Sequence, residues 1–331
     1  MEEIKCPICH HLKTKELFKI KENFKIDDRD FFIRKCLNCE IVFTFPVLSR
    51  IDVERFYPKY YFWKKEYKAE GLLIKLFRKL ESKYSQFIVC GYDAKRLIKF
   101  IGKNGKLLDV GCGTGSRLEA FKKAGFSQCC GIEPMEEEAL YAREVKKLQV
   151  QQTTLDKFDC PENSFDIATF YNVFEHLDNP AGHLKIIKKI LKPQGWLVLQ
   201  IPNFESWESK LFKNKWVALD PPRHYFHYTP KTIDNLLSQN GFAVKKIDWT
   251  ANFMRPFSWV FSFSRIMPQI IWQKEEKKKG TLFYRIWWSI LLLISIVPNT
   301  LETIFGHGSH MTIYAINQKN DDSINQSAKR I

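Results

Sequence analysis

The chain of 331 residues is long enough for one large or two modest domains, and its 45% hydrophobic content is ordinary for a globular protein. The formal net charge of +15 predicts an anionic partner, such as nucleic acid, an acidic lipid surface or a phosphorylated substrate. The amino-terminal stretch MEEIKCPICHH is too polar for a signal peptide, and most of the nine cysteines lack a pairing pattern. We therefore expect reduced thiols and a cytoplasmic location.

Residues 1–48 contain two C-x-x-C pairs around a polar, charged middle. Two such pairs have the spacing of a tetrahedral site with four thiolates, so a structural Zn²⁺ is predicted on Cys6, Cys9, Cys36 and Cys39. The gap between the pairs is longer than in a usual zinc ribbon, and the short strands ELFKI and FFIRKC are expected to fill it. A region this small buries little core, so the metal is expected to stabilise it instead. A redox role for the cysteines is the alternative.

The next segment, residues 49–104, predicts a basic helical linker or cap. In GLLIKLFRKLESKY, apolar residues recur with lysines and an arginine between them, and YDAKRLIKFIGKNGK is a second helical stretch.

Residues 105–251 alternate between short apolar strands and helices, and residues 311–318 add one more strand. The predicted strands are KLLDVG, QCCGIEP, LQVQQTT, SFDIATFYNV, GWLVLQIP, AVKKIDWT and MTIYAIN. Among the helices between them, TPKTIDNLLSQNGF is capped by Thr229, and AGHLKIIKKILKPQG is closed by a Pro-x-Gly turn. This alternation predicts an α/β fold with a mostly parallel, doubly wound sheet.

Residues 252–310 interrupt this alternation as an apolar and basic insertion. The run IWWSILLLISIVP is shorter than the about 20 residues that span a bilayer. It is either a buried helix of the insertion or a helix in the membrane surface. In the second case Trp287 and Trp288 lie at the interface and KEEKKK (274–279) lies near the headgroups. The polar tail 319–331 is predicted to be disordered.

The stretch LLDVGCGTG places an acid, Asp109, and a glycine turn directly after a predicted strand. Its G-x-G-x-G spacing differs from the dinucleotide pattern G-x-G-x-x-G, in which Ser116 would be the last glycine. A carboxylate here would repel a pyrophosphate, whereas it suits the ammonium and sulfonium groups of S-adenosylmethionine. Glu133, at the end of the next strand, can accept hydrogen bonds from both ribose hydroxyls.

Four motifs follow one another between Lys106 and Asp248: LLDVGCGTG, GIEP, SFDIATFYNVFEHLDNP and ILKPQGWLVLQIPN. Together they resemble the class I S-adenosylmethionine-dependent methyltransferases. The resemblance implies a Rossmann-like sheet of seven strands whose final strand is antiparallel. The cofactor contacts that it implies are Asp109, Gly111, Cys112, Gly113, Gly115, Glu133, Pro134, Leu155, Asp156 and Asn172.

Methyl transfer to a hydroxyl needs alignment and a base near the acceptor. Candidate bases are Glu175 and His176 in FEHLDNP and His224 in DPPRHYFHYT (220–229). The alternative for Glu-His is a cap for the following helix. In the second motif, Arg223, Tyr225 and His227 are predicted to hold a sugar or phosphate of the substrate, unless the loop is a lid that packs on its own core.

The predicted function is methyl transfer, to oxygen by default, onto a small-molecule, glycan or lipid-linked biosynthetic intermediate. An RNA methyltransferase of the ribosomal RNA type, reading its substrate through the zinc ribbon, is the alternative. The ribbon itself is nearly neutral, and the basic residues lie mainly beside hydrophobic ones, which favours an anionic membrane surface and a peripheral location over nucleic acid. A cofactor-binding module without turnover is a third interpretation.

Overall fold

The computed structural model describes residues 4–23, 26–57, 89–251, 256–263 and 281–319, with the side chains of 281–288 left out. Three sequence predictions fall elsewhere: the helix in GLLIKLFRKLESKY, the headgroup contacts of KEEKKK, and the interfacial position of Trp287 and Trp288. Of the tail, only Lys319 is described, and its Nζ lies 3.0 Å from Glu162 Oε2.

The strands form two separate sheets. In chain order the strands are β1 Thr14–Lys21, β2 Asp30–Cys36, β3 Val42–Phe45, β4 Lys106–Val110, β5 Gln128–Glu133, β6 Val150–Gln152, β7 Phe165–Tyr171, β8 Leu191–Pro202, β9 Phe226–His227, β10 Phe242–Asp248 and β11 His310–Asn317. The larger sheet has seven strands in the order β10-β11-β8-β7-β4-β5-β6. Its strands are parallel except β11, which is antiparallel to both of its neighbours. The predicted fold class is therefore confirmed, including the antiparallel final strand.

Helices flank the larger sheet and connect its strands. They are α1 Arg50–Glu54, α2 Cys90–Ile101, α3 Ser116–Lys123, α4 Glu136–Glu144, α5 Pro180–Ile190, α6 Trp207–Phe212, α7 Pro230–Gln239, α8 Phe257–Phe263 and α9 Thr281–Ile304. The predicted cap of α7 is confirmed, because Thr229 Oγ1 accepts a 3.1 Å hydrogen bond from the Thr232 backbone N–H. Among the described residues, no helix is both long enough and apolar enough to cross a bilayer.

Helix α5 ends earlier than the sequence predicts. It stops at Ile190, and the residues expected to complete its last turn instead open strand β8 at Leu191. The side-chain amide of Asn317, at the end of β11, donates to the carbonyls of Lys188, Leu191 and Lys192 at 3.2–3.3 Å. A residue distant in sequence thus satisfies carbonyl groups that a longer helix would bond internally.

The smaller sheet joins the amino-terminal region to the larger domain. Strands β1 and β2 confirm the two strands predicted between the cysteine pairs. The sequence did not predict β3 or β9, which pair antiparallel through Val42 with His227 and Phe43 with Phe226. Because β9 lies in the DPPRHYFHYT loop after β8, a segment of the larger domain forms the edge of the amino-terminal sheet.

Candidate cofactor site and its rim

The glycine turn follows β4 at the carboxyl edge of the larger sheet. Gly111 and Gly113 both have left-handed backbone conformations, with φ of +67° and +54°. A Cβ atom at Gly111 would lie 2.6 Å from Val173 Cγ2, so this glycine lets the segment after β7 approach closely. A Cβ atom at Gly113 would meet no atom within 4 Å. The turn therefore borders an open space that a ligand can enter.

Asp109 places a buried carboxylate beneath this turn. Its Oδ1 accepts a 2.7 Å hydrogen bond from Thr169 Oγ1, the residue directly opposite on β7. Burial raises the pKa of Asp109 to about 6, although the charge of Arg117 and the Thr169 hydrogen bond act against the increase. At neutral pH the carboxylate is therefore mostly ionised, and it supplies negative charge in surroundings of low polarity.

Glu133 lies at the end of β5, next to the turn. Its carboxylate accepts hydrogen bonds from the backbone N–H groups of Gly113, at 2.8 Å, and Met135, at 3.0 Å. Burial raises its pKa above the ordinary value, and these two hydrogen bonds oppose that shift. Each carboxylate oxygen can accept a second hydrogen bond, so the pair remains able to bind two neighbouring hydroxyl groups.

The other predicted cofactor contacts surround these groups. The segment after β6 begins beside Glu133, because the Glu133 carbonyl accepts a 3.2 Å hydrogen bond from the Thr153 N–H. Further along this segment, Leu155 is buried and Asp156 is exposed. Pro134 and Asn172 are exposed at the ends of β5 and β7, and Gly115 is the N-cap of α3. Cys112 is buried with its Sγ over Gly131, where a Cβ atom would lie 2.5 Å away. The contacts of these residues with S-adenosylmethionine stay predictions.

Two histidines form the rim beside the turn after β7. The rings of His176 and His224 meet edge to face with centroids 4.5 Å apart. His176 Nδ1 lies 3.0 Å from the Arg223 carbonyl and His224 Nδ1 lies 2.8 Å from the Ala218 carbonyl. Since a carbonyl only accepts, each Nδ1 carries a proton, and each Nε2 is left as an acceptor.

Their environment keeps both imidazoles neutral. Burial, reinforced by the neighbouring ring, lowers the pKa of His176 to about 3. Burial also lowers the pKa of His224 to about 4, although the carboxylate of Asp220 opposes that shift. Near neutral pH each Nε2 is therefore an unprotonated acceptor that can receive a hydrogen bond from a hydroxyl group.

Glu175 and Tyr57 complete this rim. The Glu175 side chain is buried, and one of its oxygens and one ring nitrogen of each rim histidine all lie within 4.8 Å of one another. Such a group could also hold a metal ion. The Tyr57 hydroxyl lies 3.3 Å from His176 Nδ1, which brings the amino-terminal region to the candidate acid–base residues.

The predicted substrate residues of the DPPRHYFHYT loop lie at the junction of the two sheets. Arg223 is fully buried, and its guanidinium contacts the carboxylates of Asp220 at 2.6 Å and Glu22 at 2.7 Å. The Tyr225 hydroxyl donates to the Leu48 carbonyl at 3.0 Å, and His227 Nε2 lies 3.1 Å from Thr44 Oγ1. All three side chains thus contact the amino-terminal region. Their contact with substrate stays a prediction.

The four predicted metal-binding cysteines converge at the start of the smaller sheet. The Sγ atoms of Cys6 and Cys39 are 3.6 Å apart, those of Cys9 and Cys36 are 3.5 Å apart, and all four lie within 4.8 Å of one another. Four thiolates around zinc at about 2.3 Å would form a tetrahedron with edges of about 3.8 Å, close to this spacing. The cluster has the donor set and the size of a closed structural site.

Sequence reasoning missed three residues of the site. Thr169 could have been found by aligning β7 with β4, because it is directly opposite Asp109. Arg117 lies in α3 and forms an ion pair with Asp93 at 2.9 Å, and no local pattern distinguishes it from a surface arginine. Tyr57 reaches His176 from a segment 119 residues earlier, which nothing in the sequence indicates.

Comparison with known proteins shows that the chain contains a methyltransferase domain. The sequence profile of a family described as "Methyltransferase domain" matches residues 83–247, about half of the chain. An uncharacterized methyltransferase of Schizosaccharomyces pombe is 28% identical over 114 residues, which are 30% of this chain and 41% of that protein. A ubiquinone biosynthesis O-methyltransferase of Hydrogenovibrio crunogenus is 28% identical over 156 residues, which are 44% of this chain and 64% of that protein.

A solved structure from Archaeoglobus fulgidus, described as a SAM-dependent methyltransferase, is 20% identical with a TM-score of 0.47 and covers 72% of this chain and 99% of its own. The matched region spans about half the length of the curated relatives.

Proposed function

Because the chain belongs to the class I S-adenosylmethionine-dependent methyltransferases, we propose that it transfers the cofactor's methyl group to a hydroxyl oxygen of a small-molecule, sugar or lipid-linked biosynthetic intermediate. The observation that supports this most strongly is the open space at Gly113, whose backbone N–H donates to the Glu133 carboxylate, in a turn that directly follows the buried carboxylate of Asp109. That combination suits a cationic nucleoside without phosphate groups. The relatives named as O-methyltransferases support oxygen as the acceptor atom.

Each acid has a separate task in holding the cofactor. The buried negative charge of Asp109 attracts a ligand that carries ammonium and sulfonium groups. Glu133, fixed by two backbone N–H groups, accepts hydrogen bonds from the ribose hydroxyls. When bound, S-adenosylmethionine supplies an electrophilic methyl group on a positively charged sulfur.

His176 and His224 are the proposed bases. A neutral Nε2 accepts the proton of the acceptor hydroxyl while the new oxygen–methyl bond forms and the sulfur–methyl bond breaks. The products are the methyl ether, an imidazolium and the neutral thioether of S-adenosylhomocysteine, so charge and atoms balance. Because little charge develops on the leaving group, alignment of the acceptor is the protein's main contribution.

We further propose that the cysteine cluster binds one structural Zn²⁺. The amino-terminal sheet contains β9, and Tyr57, which follows the same amino-terminal region, contacts His176, so the metal would stabilise a region next to the rim. Elemental analysis should find about one zinc per chain, and Cys36→Ser should lose it together with thermal stability. A protein without zinc would contradict this proposal.

Assay with methyl-labelled cofactor tests the proposed reaction. The full chain is incubated with a lipid extract, a mixture of sugar and phenolic hydroxyl compounds, and total RNA in separate reactions. Label should enter a lipid or small-molecule fraction, and His176→Asn should reduce its incorporation at least about tenfold while cofactor binding persists. Label that enters only RNA would contradict the proposal, and so would cofactor binding without turnover on any of the three.

A further inference from the structure

From residue 289 onward, helix α9 buries polar side chains and exposes apolar ones, which is the reverse of an ordinary surface helix. The exposed apolar side chains include Leu293 at 67%, Ile294 at 62% and Val297 at 62%. We call the following exposed residues the apolar face: Ile290, Leu293, Ile294, Ile296, Val297, Leu301, Ile304 and Phe305. A surface helix normally buries such residues, and contiguous exposed apolar patches mark interaction sites.

The opposite side of α9 is polar and buried. Glu302 is fully buried and accepts hydrogen bonds from the backbone N–H groups of Ser309, at 3.0 Å, and Glu208, at 3.4 Å. Ser295 Oγ donates to the Pro256 carbonyl at 3.1 Å. Rotating the helix to bury its apolar side would break these bonds and expose their partners. The fold therefore fixes the apolar face outward, and the prediction of a buried helix is wrong for residues 289–304.

The described residues beside this face carry more exposed positive charge than negative charge, since three exposed lysines but one exposed acid, Glu205, lie in or next to helix α6. Helix α6 stacks on the carboxyl end of α9, where the rings of Trp207 and Phe305 are 5.6 Å apart. Three exposed lysines lie in α6 or directly after it: Lys210, Lys213 and Lys215. Among residues 289–305, the exposed side chains include no acid. The surface is therefore complementary to a partner that is apolar within and anionic at its boundary.

The apolar face is attached to the same sheet edge as the cofactor site. Helix α6 follows β8, and α9 leads into β11, where His310 pairs with Pro202 at the carboxyl end of β8. The glycine turn follows β4 at this carboxyl edge, because β4, β7 and β8 are parallel. The carboxyl end of α9 therefore lies at the edge of the sheet that also carries the glycine turn.

We propose that the apolar face docks onto the surface of an anionic bilayer, with α9 lying in the plane of the interface. Its side chains enter the boundary between headgroups and acyl chains, and the lysines of α6 lie near the lipid phosphates. Docking itself is independent of the proposed methyl transfer. Only its consequence, that the acceptor is presented from the membrane, rests on the proposed function.

Flotation of the full chain with lipid vesicles tests the proposal. The vesicles contain phosphatidylcholine either alone or with phosphatidylglycerol as the anionic lipid. Wild type should float with the anionic vesicles, and the triple variant Leu293→Gln/Ile294→Gln/Val297→Gln should bind about tenfold more weakly or worse, since it loses buried apolar area. The triple variant Lys210→Gln/Lys213→Gln/Lys215→Gln should lose the preference for anionic lipid.

A matched control lies on helix α4 and just beyond it. Leu140 and Val145 are also exposed apolar residues, at 49% and 61%, but they lie between β5 and β6. The variant Leu140→Gln/Val145→Gln should therefore float like wild type, and unchanged thermal unfolding of all variants would show that each is folded.

Three outcomes would overturn the proposal. The first is the absence of wild type from both kinds of floated vesicle, and the second is an α9 variant that floats as well as wild type. The third is a wild-type dimer in light scattering that the α9 variant abolishes without either protein binding vesicles, which would make a second copy of the chain the occupant. Cofactor binding and turnover in solution are measured separately, so a failure of docking is distinguishable from a failure of the proposed reaction.

Discussion

The Glu133 carboxylate accepts a 2.8 Å hydrogen bond from the backbone N–H of Gly113. The bond joins the end of β5 to the glycine turn after β4, so the two motifs form one unit although they come from different strands. It also places the carboxylate beside the open space at Gly113. A single acid thus orients the turn and remains able to bind hydroxyl groups within it.

Replacing this acid should weaken cofactor binding. Glu133→Gln removes the negative charge that accepts the ribose hydrogen bonds, and a charge-assisted hydrogen bond contributes about 1.5–3 kcal/mol. We expect the dissociation constant of S-adenosylmethionine in calorimetry to rise about tenfold to a hundredfold. Glu136→Gln, at an exposed position at the start of α4, is the control and should bind like wild type. Equal affinity of all three proteins would refute the role of Glu133.

Cofactor affinity should also depend on the protonation of Asp109. Because burial raises its pKa to about 6, the carboxylate becomes protonated as the pH falls through that value and loses its attraction for a cation. The dissociation constant should be nearly constant above about pH 7 and rise by up to about tenfold per pH unit below about pH 6. Asp109→Asn should bind weakly with little pH dependence. A flat wild-type profile between these limits would contradict the assignment.

Arg223 should contribute to stability far more than an exposed arginine. Arg223→Gln leaves the buried acids Asp220 and Glu22 without their cation, and breaking such a pair costs about 3–5 kcal/mol. Lys231→Gln is the matched control, because Lys231 also bridges to the amino-terminal region, through Glu40 at 2.7 Å, but is exposed. It should cost less than about 1 kcal/mol. Urea denaturation compares the two, and equal losses would argue against a structural role for Arg223.

The buried acids beneath α9 should make stability fall as the pH rises. Burial, together with the nearby charge of Glu208, raises the pKa of Glu302 to about 8, and burial raises that of Glu208 to about 7. A raised folded-state pKa contributes stability that is lost as the pH rises towards it, by up to about 1.4 kcal/mol per pH unit for each group. Between about pH 6 and pH 8, wild type should lose more free energy of unfolding than Glu302→Gln. Parallel curves in urea denaturation would contradict this.

The sequence predicted the larger sheet well because its signals are local. Strands β4, β5 and β7 are apolar runs bounded by turns, and strands buried on both faces have this pattern. The end of α5 was predicted less well. The residue that satisfies its last carbonyls, Asn317, follows more than a hundred positions later. Local propensity contains no information about such a partner.

The residues of the candidate site also differ in whether local sequence signals could predict their roles. Asp109, Glu133 and the glycines could be proposed as cofactor contacts from the sequence because each lies at or directly after the end of a recognisable strand. The DPPRHYFHYT loop was assigned to substrate because arginine and aromatic residues there suit a sugar or phosphate, whereas the structure pairs Phe226 with Phe43 of a distant strand. For α9, the apolar run indicated a helix, but the burial of Glu302 decides which side faces outward.

Calorimetric titration of the purified chain with S-adenosylmethionine is the most direct test of the proposed cofactor site, when wild type is compared with Gly113→Ala and Gly102→Ala. Both glycines have positive φ and open space around an added Cβ, but Gly102 ends α2 away from the turn. Wild type and Gly102→Ala should each bind about one cofactor, and Gly113→Ala should bind at least about tenfold more weakly, since its methyl group enters the ligand's space. No binding by wild type, or equal binding by Gly113→Ala, would contradict the assignment of this turn to S-adenosylmethionine.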